Sequence, residues 1–252
     1  MIQFFNTFFT QPLFNLLVVL YDFIPGNDLG VAIIALTVLI KLALWPLSRQ
    51  AIASQKALQE LQPKLEEIKK RYKDNKEQQA KEMMALYKNE KVNPLSSCLP
   101  LLIQLPFLIA VFHVFQIGFS PDALQNLYSF VPNPGTLNPI MFGFLDLSKA
   151  NIFLAVVTGA VQFWQAKMLI SRRPIKEVTK DKDSGAKDED MMAIMNKQML
   201  YFMPLITIVI GSSLPAGLVL YWFITTLLTV AQQYVMFNKD KKVTPDEGQV
   251  IN

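Results

Sequence analysis

Apolar residues arrive in this chain as long blocks at 29–48, 99–119, 152–170, 200–214 and 216–237, parted by segments dense in charge. An α-helix needs about 20 mostly apolar residues to cross the hydrocarbon of a bilayer, so the pattern predicts membrane-spanning helices. The last two blocks are divided only by Leu214-Pro215-Ala216-Gly217. A Pro/Gly break of that kind predicts a tight turn between two spans, which makes five in all. Residues 1–28 lack Lys and Arg, and the apolar run at 13–24 is interrupted by Asn15 and Asp22. Without a basic n-region this stretch is not a cleaved signal peptide and stays on the mature protein, and it reads as an amphipathic helix lying in the interface, with a sixth, poorly hydrophobic span as the alternative.

The polar stretches divide the rest. In 49–93, Leu58, Leu61, Leu65, Ile68 and Tyr72 recur at alternating spacings of three and four, a seam that wants a partner helix. A return helix over 76–90 supplies Ala80, Met84 and Tyr87 on one stripe, with Lys73-Asp74-Asn75 as the turn between the arms. Pro63 either kinks the first arm or starts a helix after Gln62. The organisation is thus an interfacial segment at 1–28, a first span at 29–48, a helical hairpin at 49–93 and a second span at 97–119. A proline-bearing outer loop, read as a packed irregular cap, follows at 120–151, then a third span at 152–170, a polar linker at 171–198, paired fourth and fifth spans at 199–237 and a tail at 238–252.

Composition agrees, since a chain 52% apolar and 17% charged exceeds what one soluble core of 252 residues hides. The 24 basic residues set the orientation: eleven fall between Arg49 and Lys91, eight between Lys167 and Lys197, and three in the tail. Basic loops stay in the cytoplasm, so the N-terminus is predicted outside and the C-terminus inside. One cysteine, Cys98, excludes an internal disulfide, and one histidine, His113, leaves nothing for a His/Cys zinc site.

Candidate chemistry centres on Lys41, which lies within the first span, while no Asp or Glu lies in any of the five apolar blocks. An ionisable group at the centre of a span costs about 2.5 to 3.5 kcal/mol on insertion scales and faces a wet cavity or a partner charge. Snorkelling to the boundary near Ser48 is the plainer alternative. Against it stands the company Lys41 keeps: Gly30, Thr37 and Ser48 lie within about 40° of it on a helical wheel. Thr158, Gln162 and Gln165 stripe the third span, Tyr221, Thr225 and Gln232 the fifth, and Gln104 adds an amide from the second. Each alone is interhelical glue worth about 0.6 kcal/mol. Together with an uncompensated lysine they predict a shared hydrophilic groove. Enzyme readings fare poorly, for an intramembrane serine protease needs a histidine base in a nucleophile setting and a proton pump needs membrane carboxylates.

In order and spacing, several fragments resemble the YidC family of membrane-protein insertases, with its mitochondrial and chloroplast relatives. They are Lys41 with Trp45-Pro46-Leu47, Leu61-Gln62-Pro63-Lys64, Glu82-Met83-Met84-Ala85-Leu86-Tyr87, and Asn93-Pro94-Leu95 through Cys98 to Pro100-Leu101-Leu102-Ile103-Gln104-Leu105-Pro106. Phe144-Leu145-Asp146-Leu147, Phe202-Met203-Pro204, Pro215-Ala216-Gly217-Leu218-Val219-Leu220-Tyr221-Trp222 and Gln232-Gln233 complete them. The resemblance implies an all-α integral membrane protein of the bacterial plasma membrane, in a short form without a large N-terminal outer domain. It implies five helices around a groove open to the cytoplasm and to lipid, closed toward the outside, with the hairpin in the cytoplasm. Lys41 takes the place of a basic residue that is usually arginine, and Thr37 and Tyr221 match groove-region positions. The implied role is insertion and chaperoning of membrane proteins by a monomer, without cofactor, metal or DNA. Nascent membrane proteins and lipids are the implied partners, with the ribosome, the Sec translocon and the signal-recognition-particle pathway beyond them. The rival from another class is a small anion transporter or channel using Lys41.

Overall fold

A computed structural model describes residues 2–93, 99–118, 123–170 and 198–239. The chain is overwhelmingly helical, with one minimal strand pair. At the N-terminus α1 (Ile2–Phe5), a π-helical turn (Asn6–Thr10) and α2 (Gln11–Phe23) follow one another directly. There follow α3 (Leu29–Ala43), α4 (Trp45–Glu60), α5 (Gln62–Arg71), α6 (Lys76–Asn89) and α7 (Leu99–Gly118). Beyond a 3-10 turn (Ala123–Asn126), β1 (Ile140–Met141) pairs antiparallel with β2 (Leu145–Asp146). Next come α8 (Ile152–Ile170), a π-helical turn (Gln198–Phe202), α9 (Met203–Gly211) and α10 (Ala216–Lys239). Residues 94–98 and 171–197, which include Cys98 and nearly all of the expected polar linker, lie outside the described residues, as does the tail beyond 239.

Among the described residues, Gln3–Phe23 and Ala216–Phe237 are long and apolar enough to cross a membrane by themselves. The first span expected at 29–48 ends early. Leu44 closes α3, and Trp45-Pro46 opens α4 at 67° to it, because proline sets the dihedrals of a helix's first turn and cannot continue one from its interior. Leu102–Gln116, Ile152–Met168 and Leu200–Gly211 are shorter apolar helices. Exposed apolar side chains run in files along them: Leu102, Leu105 and Ile109 on α7, Phe153, Val156 and Trp164 on α8, Leu205 and Val209 on α9. Surfaces of that kind belong against lipid, where helices satisfy their own backbone groups.

Phe14, Leu17 and Val18 of α2 are buried against Ile33 and Leu36 of α3, Val111 and Val114 of α7 and Leu218 of α10. α8 and α9 form a tighter pair, because a Cβ on Gly159 would collide with the Ile208 side chain. The N-terminal segment packs onto the outer loop. Asn15, read as an interruption of its apolar run, is buried: Oδ1 accepts from Tyr128 N at 2.7 Å and Nδ2 donates to Gln11 O at 2.8 Å. Tyr21 is buried too and accepts from Asn138 N at 3.0 Å. These polar positions clamp the 123–151 loop to α2 instead of facing water.

That loop packs across helix starts, as a cap would. It crosses the starts of three helices: Gly217 N donates to Leu147 O at 2.9 Å, Ala216 N to Lys149 O at 2.8 Å, and Asn151 Oδ1 caps α8 through Leu154 N at 2.9 Å. Asp28 caps α3 by accepting from Gly30 N at 2.8 Å and Val31 N at 3.1 Å, while its other oxygen accepts from Phe142 N at 2.7 Å. In the polar hairpin, Leu61 and Leu65 are buried and Asn75 caps α6 through Gln78 N. Pro63 sits in the first turn of α5, after a break at Leu61. The packed face of α6 differs from the expected stripe: Gln79 is buried and donates to Lys69 O at 3.2 Å, whereas Ala80 and Met84 are exposed.

Replacing Asp28 by alanine orphans three N–H groups and is expected to cost about 2 kcal/mol in detergent-solubilised thermal unfolding, while Asp28→Asn, which keeps an acceptor oxygen, costs less. An unchanged melting temperature for Asp28→Ala would contradict the clamp. Asp146 is held at about 2 by the Ser148 hydroxyl and then by Lys149. A carboxyl depressed on folding stabilises above its ordinary range of about 4 and loses that contribution as pH falls through its folded value. Hydrogen exchange at Ser148 N, which donates to Asp146 at 3.0 Å, should therefore quicken as pH drops from about 4 toward 2, once corrected for the intrinsic rate.

Candidate functional site

α10 buries more polar side chains than any other described helix. Tyr221, Thr225 and Thr229 succeed one another at every fourth position, and Gln232 continues their stripe three residues on. Tyr221, Thr225 and Gln232 are buried and Thr229 is half-buried. β-Branched threonine holds this face well, because its hydroxyl turns back to the carbonyl one turn earlier: Thr229 Oγ1 donates to Thr225 O at 2.7 Å.

Lys41 approaches this stripe from α3. Its Nζ donates to Thr229 Oγ1 at 2.8 Å, so the ammonium ends on α10 and not along α3 toward Ser48. The hydroxyl can serve both partners, since it gives its one proton to the Thr225 carbonyl and receives the lysine's on a lone pair. Thr37, one turn before Lys41, is fully buried and satisfies itself on Ile33 O at 2.6 Å. From α7, the Gln104 amide donates to the Tyr221 hydroxyl. Two helices thus bring polar ends to one stripe, at points eight residues or roughly 12 Å of helix apart.

The third expected stripe is engaged elsewhere. On α8, Thr158 is buried and bonds to Leu154 O at 2.7 Å, while Gln162 accepts from the Thr207 hydroxyl of α9. Gln165 is half-buried on the same helix. No hydrogen bond among the described residues joins these side chains to Lys41. Gln232 Nε2 is buried without a hydrogen-bond partner among the described residues.

Two partners escaped the sequence reading. Thr229 repeats the four-residue spacing of Tyr221 and Thr225, a signal that was available; Thr207 stands alone in an apolar helix and offered none. The lysine expected to be uncompensated has a neutral partner, not a counterion. Nearer the far end of α10, a cavity of about 230 Å³ is lined by Ile52, Lys56 and Glu60 of α4 with Met236 and Phe237. Among the described residues no group of His, Cys, Asp or Glu side chains could hold a metal ion.

Comparison with known proteins bears on the whole chain. The family described as 60Kd inner membrane protein matches residues 19–243. A membrane protein insertase YidC of Fusobacterium nucleatum is 35% identical over 213 residues, covering 84% of this chain and 88% of that protein. Another of the same name from Histophilus somni is 33% identical over 232 residues, 91% of this chain, which spans only 37% of that protein's length. A third, from Chlamydia trachomatis, is 35% identical over 243 residues, 92% of this chain and 28% of its own length. Among solved structures, an active YidC insertase crystal structure with its first transmembrane domain resolved is 26% identical with a TM-score of 0.54, over 85% of this chain and 43% of that one. A membrane-integral helical bundle, matched over nearly its whole length by proteins of one name, belongs to the 60Kd inner membrane protein family, that of the YidC insertases.

Proposed function

We propose that this chain is a membrane-protein insertase and chaperone. It carries short polar tails of client proteins across the bilayer and their apolar segments into it. The observation that carries the reading is an intramembrane ammonium whose described partner is one threonine hydroxyl. An interhelical hydrogen bond in a membrane returns about 0.6 kcal/mol on average, against about 2.5 to 3.5 kcal/mol for placing the lysine there. The difference calls for hydration or a client's charge around Lys41. The buried amide nitrogen of Gln232 on the same helix, without a partner among the described residues, supports this.

In this reading the five apolar blocks all span, with α2 against their outer part, the N-terminus outside, and the α5–α6 hairpin and tail in the cytoplasm. A groove bounded by Lys41, Thr37, Gln104, Tyr221, Thr225, Thr229 and Gln232, and by Thr158, Gln162 and Gln165 across from them, opens to the cytoplasm. Shedding water from a polar tail is forbidding, and a wet groove partway through the bilayer shortens the dry path. Lys41 draws the acidic groups of the tail. The client's apolar segment partitions into lipid beside α8 and α10, and that partition drives release without a nucleotide. Nascent chains are the clients, reached with the ribosome, the Sec translocon and the signal-recognition-particle pathway.

Reconstituted into liposomes, the protein should protect an acidic client tail from external protease. Lys41→Ala should lower that protection by an order of magnitude or so, the size of one lost charge contact of about 1.4 kcal/mol, while Lys41→Arg keeps it. Full activity of the alanine variant would overturn the role of the charge. Anion flux without any client insertion would favour a transporter instead. The Lys41 and Thr229 contact should itself appear in a double-mutant cycle of Lys41→Met and Thr229→Val as a coupling of about 0.6 to 1.7 kcal/mol in detergent unfolding, and strict additivity would deny it.

A further inference from the structure

The turn between β1 and β2 is Phe142-Gly143-Phe144, and it is built against its own backbone preference. Phe142 holds φ at +50°, a conformation that bulky residues rarely adopt, and Phe144 N closes the turn on Met141 O at 3.2 Å. Both rings nevertheless point away from the protein, Phe142 63% and Phe144 80% exposed. The stretch from Pro139 to Leu145 carries no charge, whereas hairpin turns in water favour Gly, Asn, Asp and Ser.

Position identifies the occupant. Asp28 caps α3 with one carboxylate oxygen and grips Phe142 N with the other, so the tip is pinned level with the start of that helix. The strand that follows leads directly across the starts of α8 and α10. Ile152 and Phe153, in the first turn of α8, are also exposed and begin the apolar file that continues through Val156 and Trp164. The tip therefore extends the lipid-facing surface at the height where three helices enter the bilayer. We propose that the Phe142-Gly143-Phe144 loop is a membrane anchor, with both rings inserted into the phospholipid interface at that face. Strain held in a backbone finds its use where the surroundings fix it, and here the Asp28 carboxylate fixes it in the pose that turns the rings toward lipid. The anchor would hold the 123–151 loop flat over the helix starts.

The test places a nitroxide at Phe144→Cys in the full chain carrying Cys98→Ser, reconstituted in phosphatidylethanolamine and phosphatidylglycerol vesicles. Collision with oxygen is compared with collision with a water-soluble nickel chelate, and Asn133→Cys serves as the exposed reference. Oxygen should dominate at 144 and the chelate at 133. Phe142→Asp should shift the 144 label toward the chelate, and Phe142→Gly should do the same while relaxing φ, so that a folding defect cannot account for the shift. Chelate dominance at 144 in the parent protein would overturn the anchor. So would a label shielded from both reagents, which would indicate contact with a second protein copy, or one indifferent to either Phe142 substitution.

Discussion

An ammonium inside a bilayer costs more than one hydroxyl can return, and the proposed function rests on that imbalance at Lys41. Lys41 gives Thr229 one of its three protons at 2.8 Å. No carboxylate lies in any of the apolar blocks to neutralise it. Hydrocarbon packed around such a group would be unstable on any insertion scale. The polar stripe of α10 makes the position tenable, and Thr229, whose hydroxyl donates to its own helix at Thr225 O, keeps its acceptor capacity for the lysine.

The remaining architecture holds α10 where Lys41 and Gln104 can reach it. Its first turn is tied by two backbone hydrogen bonds to Leu147 and Lys149. The same loop is tied to α3 through Asp28 and to α2 through Asn15 and Tyr21. One end of the bundle is therefore a stitched cap. At the other end α3 breaks at Leu44, the chain leaves at 67°, and a cavity lies between α4 and the end of α10 at Met236 and Phe237. A bundle clamped at one face and splayed at the other suits a site reached from one side only.

Much of this was legible in the sequence. Block length read against bilayer thickness gave the membrane class, and the Pro215-Ala216-Gly217 break parted α9 from α10. Lys41, Gln104, Tyr221 and Thr225 were identifiable because polar side chains at helical spacing stand out against apolar surroundings. What stayed hidden depends on which neighbour a side chain meets. Gln162 turns to Thr207 on α9, and no wheel drawn on α8 alone could tell that from a turn toward Lys41. Asn15 looked like a blemish in an apolar run because its partner, the Tyr128 amide, lies more than a hundred residues away. Pro46 marked the bend after α3, yet hydropathy alone ran through it.

Hydration of Lys41 is the claim on which the account turns, and solvent access can be measured directly there. A Lys41→Cys variant in a Cys98→Ser background, in sealed inverted membrane vesicles, is exposed to a membrane-impermeant maleimide. Labelling from the cytoplasmic face, and none in right-side-out vesicles until detergent is added, is the predicted result. A cysteine that resists the reagent from both faces yet reacts once the protein is denatured would mean a dry, packed site, and would contradict the account.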